Sequence, residues 1–325
     1  MADAVPDAVA VPRVDWTAAT ASGRTLVPAG PELGRDEAAA VVADLRLCAE
    51  RSTQAVAAAS ALSTPPPAEV LVLDRAGWVS AVVAMIEVML GSVGEPPPAT
   101  LRGRVSGRLA GGQLGAALAF VATRILGQYD PYSPTPRLLL VAPNIVAAER
   151  SLAVEPSGFR QWVCLHEQTH RFQFGAAPWL SGHLLTLLRD IVDDAGGSSR
   201  GLRLLSVPQA AALDRVTAVM SLLEGYADVV MDAAAQDLVP QAALLRTRFE
   251  ARRDAGGIVA VVSRFLGLRA KREQYLRGAR FCRAVIAEAG VEGLNRVFQG
   301  PESLPTLDEL HSPESWLRRV PGRVG

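Results

Sequence analysis

Long alanine- and leucine-rich segments, separated by short clusters of proline and glycine, are the feature that most constrains how this chain can fold. Residues 65–67 and 96–98 are proline triplets, which the interior of a helix does not accommodate. Between such breakers the apolar spacing predicts helices over residues 37–60, 75–90, 102–126, 157–174, 179–192, 208–236 and 269–290, and a last short helix after Ser312. The pattern therefore indicates a mostly helical protein.

Two short apolar runs interrupt the helical pattern and are candidate strands. They cover residues 70–73 and 138–141, and prolines bound the second run on both sides. Residues 127–136 are predicted to form a loop. We expect a mostly α fold of the α+β class with a small sheet. Residues 1–13 are predicted to be a flexible tail, 14–105 a helical N-terminal lobe and 106–325 a second lobe, the two lobes packing as one compact unit.

Composition and charge exclude several functional classes. Thirty-three basic residues balance thirty-three acidic ones, so the chain lacks the basic excess typical of proteins that bind nucleic acid or anionic membranes. The three cysteines are far apart and form no C-x-x-C pair, which is typical of a reducing compartment. The longest apolar window, residues 109–123, is shorter than the ~20 residues that a bilayer core requires. We expect a soluble, cytoplasmic protein without a nucleic-acid or membrane partner.

The predicted helix 157–174 contains the motif H-E-x-x-H, formed by His166, Glu167 and His170. Residues four apart on a helix lie on the same face, so both imidazoles can bind one metal ion. Glu167 lies one step round the helix, where it can take the proton of a water that zinc activates. The spacing therefore predicts a zinc site with Glu167 as its general base.

A catalytic zinc usually has three protein ligands and one open position. The residues three and six positions after His170 are Gln173 and Ala176, so the H-E-x-x-H-x-x-G-x-x-H continuation is absent. The predicted helix 208–236 instead carries Glu224 and Asp228 in an apolar stretch, where buried carboxylates are costly unless they are paired or bind metal.

We therefore predict that Glu224 is the third ligand and that Asp228 accepts a ring N–H from one of the two histidines. A helix cap or an ordinary ion pair is the alternative for both carboxylates. Gly225 is expected to let this helix approach the histidine helix closely. Asp232 and His183 are the reserve ligands.

These motifs together resemble a family of proteins. H-E-x-x-H followed by E-x-x-x-D on a later helix is similar to the gluzincin arrangement of zinc peptidases. Four segments resemble, more specifically, an uncharacterised zincin-like metallopeptidase family of GC-rich bacteria: residues 126–131 (LGQYDP), 138–145 (LLLVAPNI), 162–171 (WVCLHEQTHR) and 221–228 (SLLEGYAD). The resemblance covers nearly the whole chain after the tail. It implies a zincin-like fold, a metal site at His166, Glu167, His170 and Glu224, and an association with the biosynthesis of a deazaflavin coenzyme.

Further residues are candidates for roles around the metal. A donor to the developing oxyanion is expected in such enzymes, and His183 and Tyr275 are the candidates, although packing is the alternative for His183. Tyr226 points about 200° away from Glu224 round the helix, which favours packing. Lys271 is the only lysine among the 33 basic residues, and either binds a substrate carboxylate or lies on a solvated helix face.

The sequence thus predicts a zinc-dependent metallopeptidase that binds one Zn²⁺ per chain and hydrolyses a peptide or small amide substrate. Residues 138–141 would pair with an extended substrate if they form an edge strand. A small-molecule amidohydrolase of coenzyme metabolism and a non-catalytic zinc-containing binding module are the alternatives. Oligomeric state is not predicted.

Overall fold

A computed structural model describes residues 11–98, 100–193, 207–253 and 273–322 of the chain. The helices of the first half are α1 (Trp16–Leu26), α2 (Arg35–Ser60), α3 (Arg75–Val93), α4 (Leu101–Ala122), α5 (Ala142–Leu152) and α6 (Pro156–Ala176). Those of the second half are α7 (Leu180–Asp193), α8 (Val207–Leu238), α9 (Ala242–Arg253), α10 (Glu273–Leu294), α11 (Leu307–His311) and α12 (Pro313–Arg319). The strands are β1 (Glu69–Leu73), β2 (Gly127–Asp130) and β3 (Arg137–Val141). The fold is mostly helical with a small mixed sheet, as predicted.

The three strands lie in the order β1-β3-β2. Strand β1 runs parallel to β3, with Leu71 opposite Leu139, and β2 runs antiparallel to it, with Gln128 opposite Leu139. Both candidate strands of the sequence are confirmed. The prediction of a loop from residue 127 was wrong at its start, because residues 127–130 pair along β3 and form an outer strand. Strand β3 is central, so the condition under which residues 138–141 would pair with a substrate is not met.

The central strand separates two hydrophobic cores. Its side chains alternate between the faces of the sheet. Leu138 and Leu140 join the larger core, formed chiefly by α2, α5, α6, α8 and α10, whereas Leu139 and Val141 join a smaller one with α1, α3 and α4. All four are fully buried. Helix α6 lies between α2 and α8 and next to β2. Side chains from these three elements can therefore meet those of α6.

Helix α6 begins at Pro156, one residue before the predicted start at residue 157. The carboxylate of Glu155 accepts hydrogen bonds from the main-chain N–H groups of Ser157 and Gly158, and Pro156 occupies the first helical position. Glu155 is therefore the N-cap, and Ser157 lies inside the first turn. The negative charge of Glu155 also interacts favourably with the positive end of the helix dipole.

Helix α3 is more apolar than the sequence analysis recognised. Among the described residues it is the one helix that is long and apolar enough to cross a membrane by length and composition alone, and 28% of its most apolar window is buried. The statement that residues 109–123 are the longest apolar window was therefore wrong. Trp78, Val79 and Val82 of α3 pack into the smaller core. The predicted lobe boundary at residue 105 falls inside α4, and the division into two lobes stays a prediction.

Candidate metal centre

Two consecutive turns of α6 present His166 and His170 on one face of the helix. Their rings are nearly perpendicular, with centroids 4.8 Å apart, and their Nε2 atoms are 3.2 Å apart. The rest of α6 buries apolar side chains such as Phe159, Leu165 and Phe172 on its other faces. Because packing holds the helix on those faces, the two imidazoles are directed at one point in space.

Helix α8 brings a carboxylate to the same point. The Oε2 atom of Glu224 lies 3.4 Å from Nε2 of His166, and its Oε1 atom lies 3.7 Å from Nε2 of His170. Within the described part of the chain, His166, His170 and Glu224 are the one group of three His, Cys, Asp or Glu side chains close enough to hold a metal ion. The pair predicted from local spacing and the distant glutamate therefore meet in three dimensions.

The donor set fits a zinc ion in chemistry and in spacing. Zinc binds histidine nitrogen and carboxylate oxygen at about 2.0–2.2 Å in tetrahedral geometry, so its ligand atoms lie about 3.3 Å from one another. The two Nε2 atoms are 3.2 Å apart, close to this edge length, and the two oxygens of Glu224 approach them separately, at 3.4 and 3.7 Å. One ligand atom from each of the three residues lies within 4.8 Å of the other two. Two imidazoles and one carboxylate are also the ligand set of several catalytic zinc sites, which leave the fourth position open.

The charges at the site depend strongly on Glu224. Burial by itself would lower the pKa of His166, but the hydrogen bond and charge of Glu224, helped by Glu167 and Asp228, raise the pKa to about 9. Burial lowers the pKa of His170, and Glu224 offsets this only in part. Glu224 is therefore the chief group that favours the charged form of His166, and a divalent cation bound there would compete with that proton.

Glu167 lies beside the triangle and packs against strand β2. It is 7% exposed, and burial raises its pKa to about 7, with the charge of His166 acting in the opposite direction. Its side chain lies so close to Gly127 that a Cβ at that position would be 2.5 Å from its Cγ atom. Only a glycine leaves room there. The sequence offers no local signal for this contact, because residues 127 and 167 meet through packing of β2 on α6.

Gln173 is a further polar residue of the site that the sequence analysis missed. Its Oε1 atom is 2.8 Å from Nδ1 of His170, and its Nε2 atom donates to the main-chain carbonyl of Leu223, 2.7 Å away. It is fully buried. The signal was present, since residue 173 stands three positions after His170 and such residues are neighbours on a helix. In the sequence, Gln173 is informative in a second way, because its identity excludes the H-E-x-x-H-x-x-G-x-x-H continuation.

The structure bears differently on the roles predicted for Asp228 and for the reserve ligand Asp232. The Nδ1 atom of His170 is hydrogen-bonded to Gln173, so Asp228 does not support that histidine there; a contact of Asp228 with His166 stays a prediction. Asp232 was not needed as a ligand and instead forms ion pairs with Arg246 and Arg283.

His183 lies on α7 outside the metal cluster, with its ring 5.9 Å from that of Trp179, and burial lowers its pKa. His183 is therefore not one of the clustered ligands, and its role as an oxyanion donor stays a prediction. Tyr226 packs as predicted: it is fully buried and its hydroxyl donates to Asn295. Lys271 and the side chain of Tyr275 lie outside the described residues, so their roles stay predictions.

Gly225 permits a close helix approach, but to a different helix from the one expected. A Cβ there would lie 2.1 Å from the main-chain carbon of Gly278 on α10. The prediction of an approach to α6 was wrong because successive residues are 100° apart round a helix, so Gly225 faces away from Glu224.

Comparison with known proteins agrees with the geometry. The model of a family described as zincin-like metallopeptidases matches residues 14–317. The chain belongs to the zincin-like metallopeptidase family. Membership supports a hydrolase and implies a metal, typically zinc. The suggested link to a deazaflavin coenzyme stays a prediction.

One solved structure is similar to this chain over almost the whole length of the chain. It is a protein from Chloroflexus aurantiacus, described as "a putative hydrolase with a novel fold". The two sequences are 30% identical, the TM-score is 0.77, and the match covers 96% of this chain and all of that one. No curated protein matches the sequence at a significant level.

Proposed function

We propose that this chain is a zinc-dependent hydrolase of peptide or amide bonds. The observation that carries the proposal is the triangle of ligand atoms from His166, His170 and Glu224, with the carboxylate of Glu167 beside it. A zinc ion held there would supply Lewis-acid catalysis, which makes water nucleophilic near neutral pH and polarises a carbonyl.

Glu167 has the properties of the general base. It follows His166 directly on a helix that packing holds in place, and burial brings its pKa to about 7. A carboxylate with such a pKa can take a proton from the attacking water and return it to the departing amine. Such proton transfer contributes roughly 10²–10⁴-fold to the rate.

The partial exposure of the ligands favours catalysis over a structural role. The side chains of His166 and Glu224 are 22% and 27% exposed, so one side of the triangle faces solvent. A structural zinc site has four protein ligands and is closed, whereas a catalytic site keeps a position for water or substrate. Three donors with an accessible side are of the second kind.

Strand β2 supports an extended substrate. It is an outer strand of the sheet, and Gly127 at its start contacts the side chain of Glu167. An extended peptide that adds to an outer strand forms main-chain hydrogen bonds and is bound with little dependence on its side chains. We infer that the substrate pairs with β2 and that its scissile bond lies near Gly127, which favours a peptide over a small amide.

The test combines metal content with hydrolysis. Native mass spectrometry of the purified chain is expected to show near one zinc per chain, and both His170→Ala and Glu224→Ala are expected to lose it. Glu167→Gln is expected to keep the zinc and to lose hydrolysis of a peptide library by about 10²-fold or more.

Asp232→Asn is the matched control, because Asp232 lies on the same helix as Glu224 but pairs with arginines. This variant should keep its zinc. A wild-type chain that takes up no zinc, or a Glu167→Gln variant that cleaves as fast as wild type, would contradict the proposal. Cleavage of small amides but of no peptide would contradict only the inference that the substrate pairs with β2.

A further inference from the structure

Gln173 connects the two helices that carry the candidate metal ligands. Its amide oxygen faces Nδ1 of His170 at 2.8 Å, and its amide nitrogen faces the carbonyl oxygen of Leu223 at 2.7 Å. Leu223 directly precedes Glu224. One fully buried side chain on α6 therefore contacts a histidine of its own helix and the α8 backbone beside the glutamate.

Elementary hydrogen-bond chemistry determines the orientation of this amide. The two ends of a glutamine amide look alike in shape, so their assignment depends on their partners. A main-chain carbonyl can only accept, so the group that faces Leu223 is the NH₂ donor. The oxygen must then face His170, and because that oxygen can only accept, Nδ1 of His170 carries a proton.

A neutral imidazole holds one proton. With that proton on Nδ1, the Nε2 atom of His170 is left with a free lone pair. This is the atom that lies 3.2 Å from Nε2 of His166 and 3.7 Å from Glu224. A carbonyl on α8 therefore determines, through one amide, which nitrogen of His170 is available to a cation.

We propose that Gln173 is a positioning residue that holds His170 in its metal-binding tautomer and sets the spacing between His170 and Glu224. The inference rests on the proposed metal-dependent function and deepens it. A glutamine is suited to this position because it accepts and donates at once. An aspartate or glutamate could orient the ring but would place an acceptor against the carbonyl of Leu223.

The first test measures the tautomer directly in metal-free protein. Spectra of ¹⁵N-histidine-labelled chain at neutral pH, assigned with the His170→Asn variant, should show Nδ1 of His170 protonated and Nε2 bare. In Gln173→Met, which keeps an unbranched side chain of similar size, the two tautomers should both be populated. A wild-type spectrum with the proton on Nε2 overturns the inference, whether or not the variant folds.

The second test measures zinc affinity by competition with a chromophoric chelator. Loss of a residue that supports a ligating histidine typically weakens metal binding by about 10–100-fold, and we expect a loss of this size in Gln173→Met. Gln161→Met is the matched control. Gln161 lies on the same helix and is 5% exposed. It donates to the carbonyl of Cys48 and the hydroxyl of Ser52, which lie on α2 and are not among the ligands.

The control separates a local effect from a general loss of stability. Gln161→Met should lose similar thermal stability, because it also removes a buried amide that donates to a main-chain carbonyl, but should bind zinc as wild type does. Equal zinc affinity and an unchanged tautomer in Gln173→Met would overturn the role of Gln173 and leave the proposed function intact. A wild-type chain that takes up no zinc would instead contradict the proposed function. The tautomer spectrum of the metal-free chain would still show whether Gln173 holds the proton on Nδ1 of His170.

Discussion

The contact between Gly127 and Glu167 makes a prediction that separates catalysis from metal binding. In Gly127→Ala, the new Cβ would lie 2.5 Å from Cγ, 2.7 Å from Cδ and 2.9 Å from Oε1 of Glu167. The φ angle of Gly127 is outside the left-handed region, so the backbone accepts alanine. The three atoms nearest to the new Cβ all belong to Glu167, so the substitution acts first on the glutamate.

The size of the displacement follows from contact distances. Carbon atoms in contact prefer to lie about 3.5–4.0 Å apart, so the glutamate side chain must move by about 1 Å. Strand β2 is paired with β3 along its length, which makes the side chain the easier part to move. A misplacement of about 1 Å in a catalytic group can cost about 10²-fold in rate. None of the three atoms nearest to the new Cβ belongs to a metal ligand, so zinc content should stay the same.

The assay compares kcat and zinc content of Gly127→Ala with those of wild type. Gly112→Ala is the control, because no atom lies within 4 Å of a Cβ at that position on α4. This control should be more stable by about 1 kcal/mol, as alanine is in a helix, and fully active. Wild-type kcat in Gly127→Ala would refute the reasoning, and so would loss of zinc, which would show that the strand and not the base had moved.

Three further predictions concern stability. Asn144→Leu removes an amide that donates to the main-chain carbonyls of Ala122, the last residue of α4, and of Ile125. It should lower the free energy of unfolding in urea by about 2–4 kcal/mol, and a loss below about 1 kcal/mol would contradict the contact. Gly225→Ala would place a Cβ against the backbone of Gly278. Because residue 225 directly follows the ligand Glu224, the substitution should lower both the melting temperature and the zinc affinity. An unchanged melting temperature would show that α8 and α10 can separate freely. The hydrogen bond from Arg319 lowers the pKa of Glu309, so the stabilisation by Glu309 is present above the ordinary carboxyl pKa of 4.5 and is lost as the pH falls through the lowered value. The difference in free energy of unfolding between wild type and Glu309→Gln, measured in urea, should therefore become smaller as the pH falls. A difference that becomes larger would contradict the lowered pKa of Glu309.

Features that depend on neighbouring residues were predictable from the sequence. Helices α2, α6 and α8 and strands β1 and β3 follow from apolar periodicity and from the prolines and glycines at their ends. The common direction of His166 and His170 has the same origin, because a spacing of four residues on a helix defines a common face. Gln173 could also have been found in this way.

Features that depend on contact between distant segments were not predictable. Residues 127–130 have weak strand propensity and become β2 only because β3 lies beside them. Gly225 reveals that some helix comes close but does not identify α10 as that helix.

The sequence by itself therefore determined the helices and the direction of each candidate ligand on its own helix, because these are matters of local geometry. It proposed Glu224 as the third ligand, but only the tertiary structure placed that carboxylate within 3.4 Å of His166, across 58 residues of chain. The tertiary structure also decided that Gly127 lies against Glu167 and that Leu223 orients Gln173. Each of these contacts joins separate elements, and their relative position is set by how their apolar faces pack into shared cores, which no local pattern encodes.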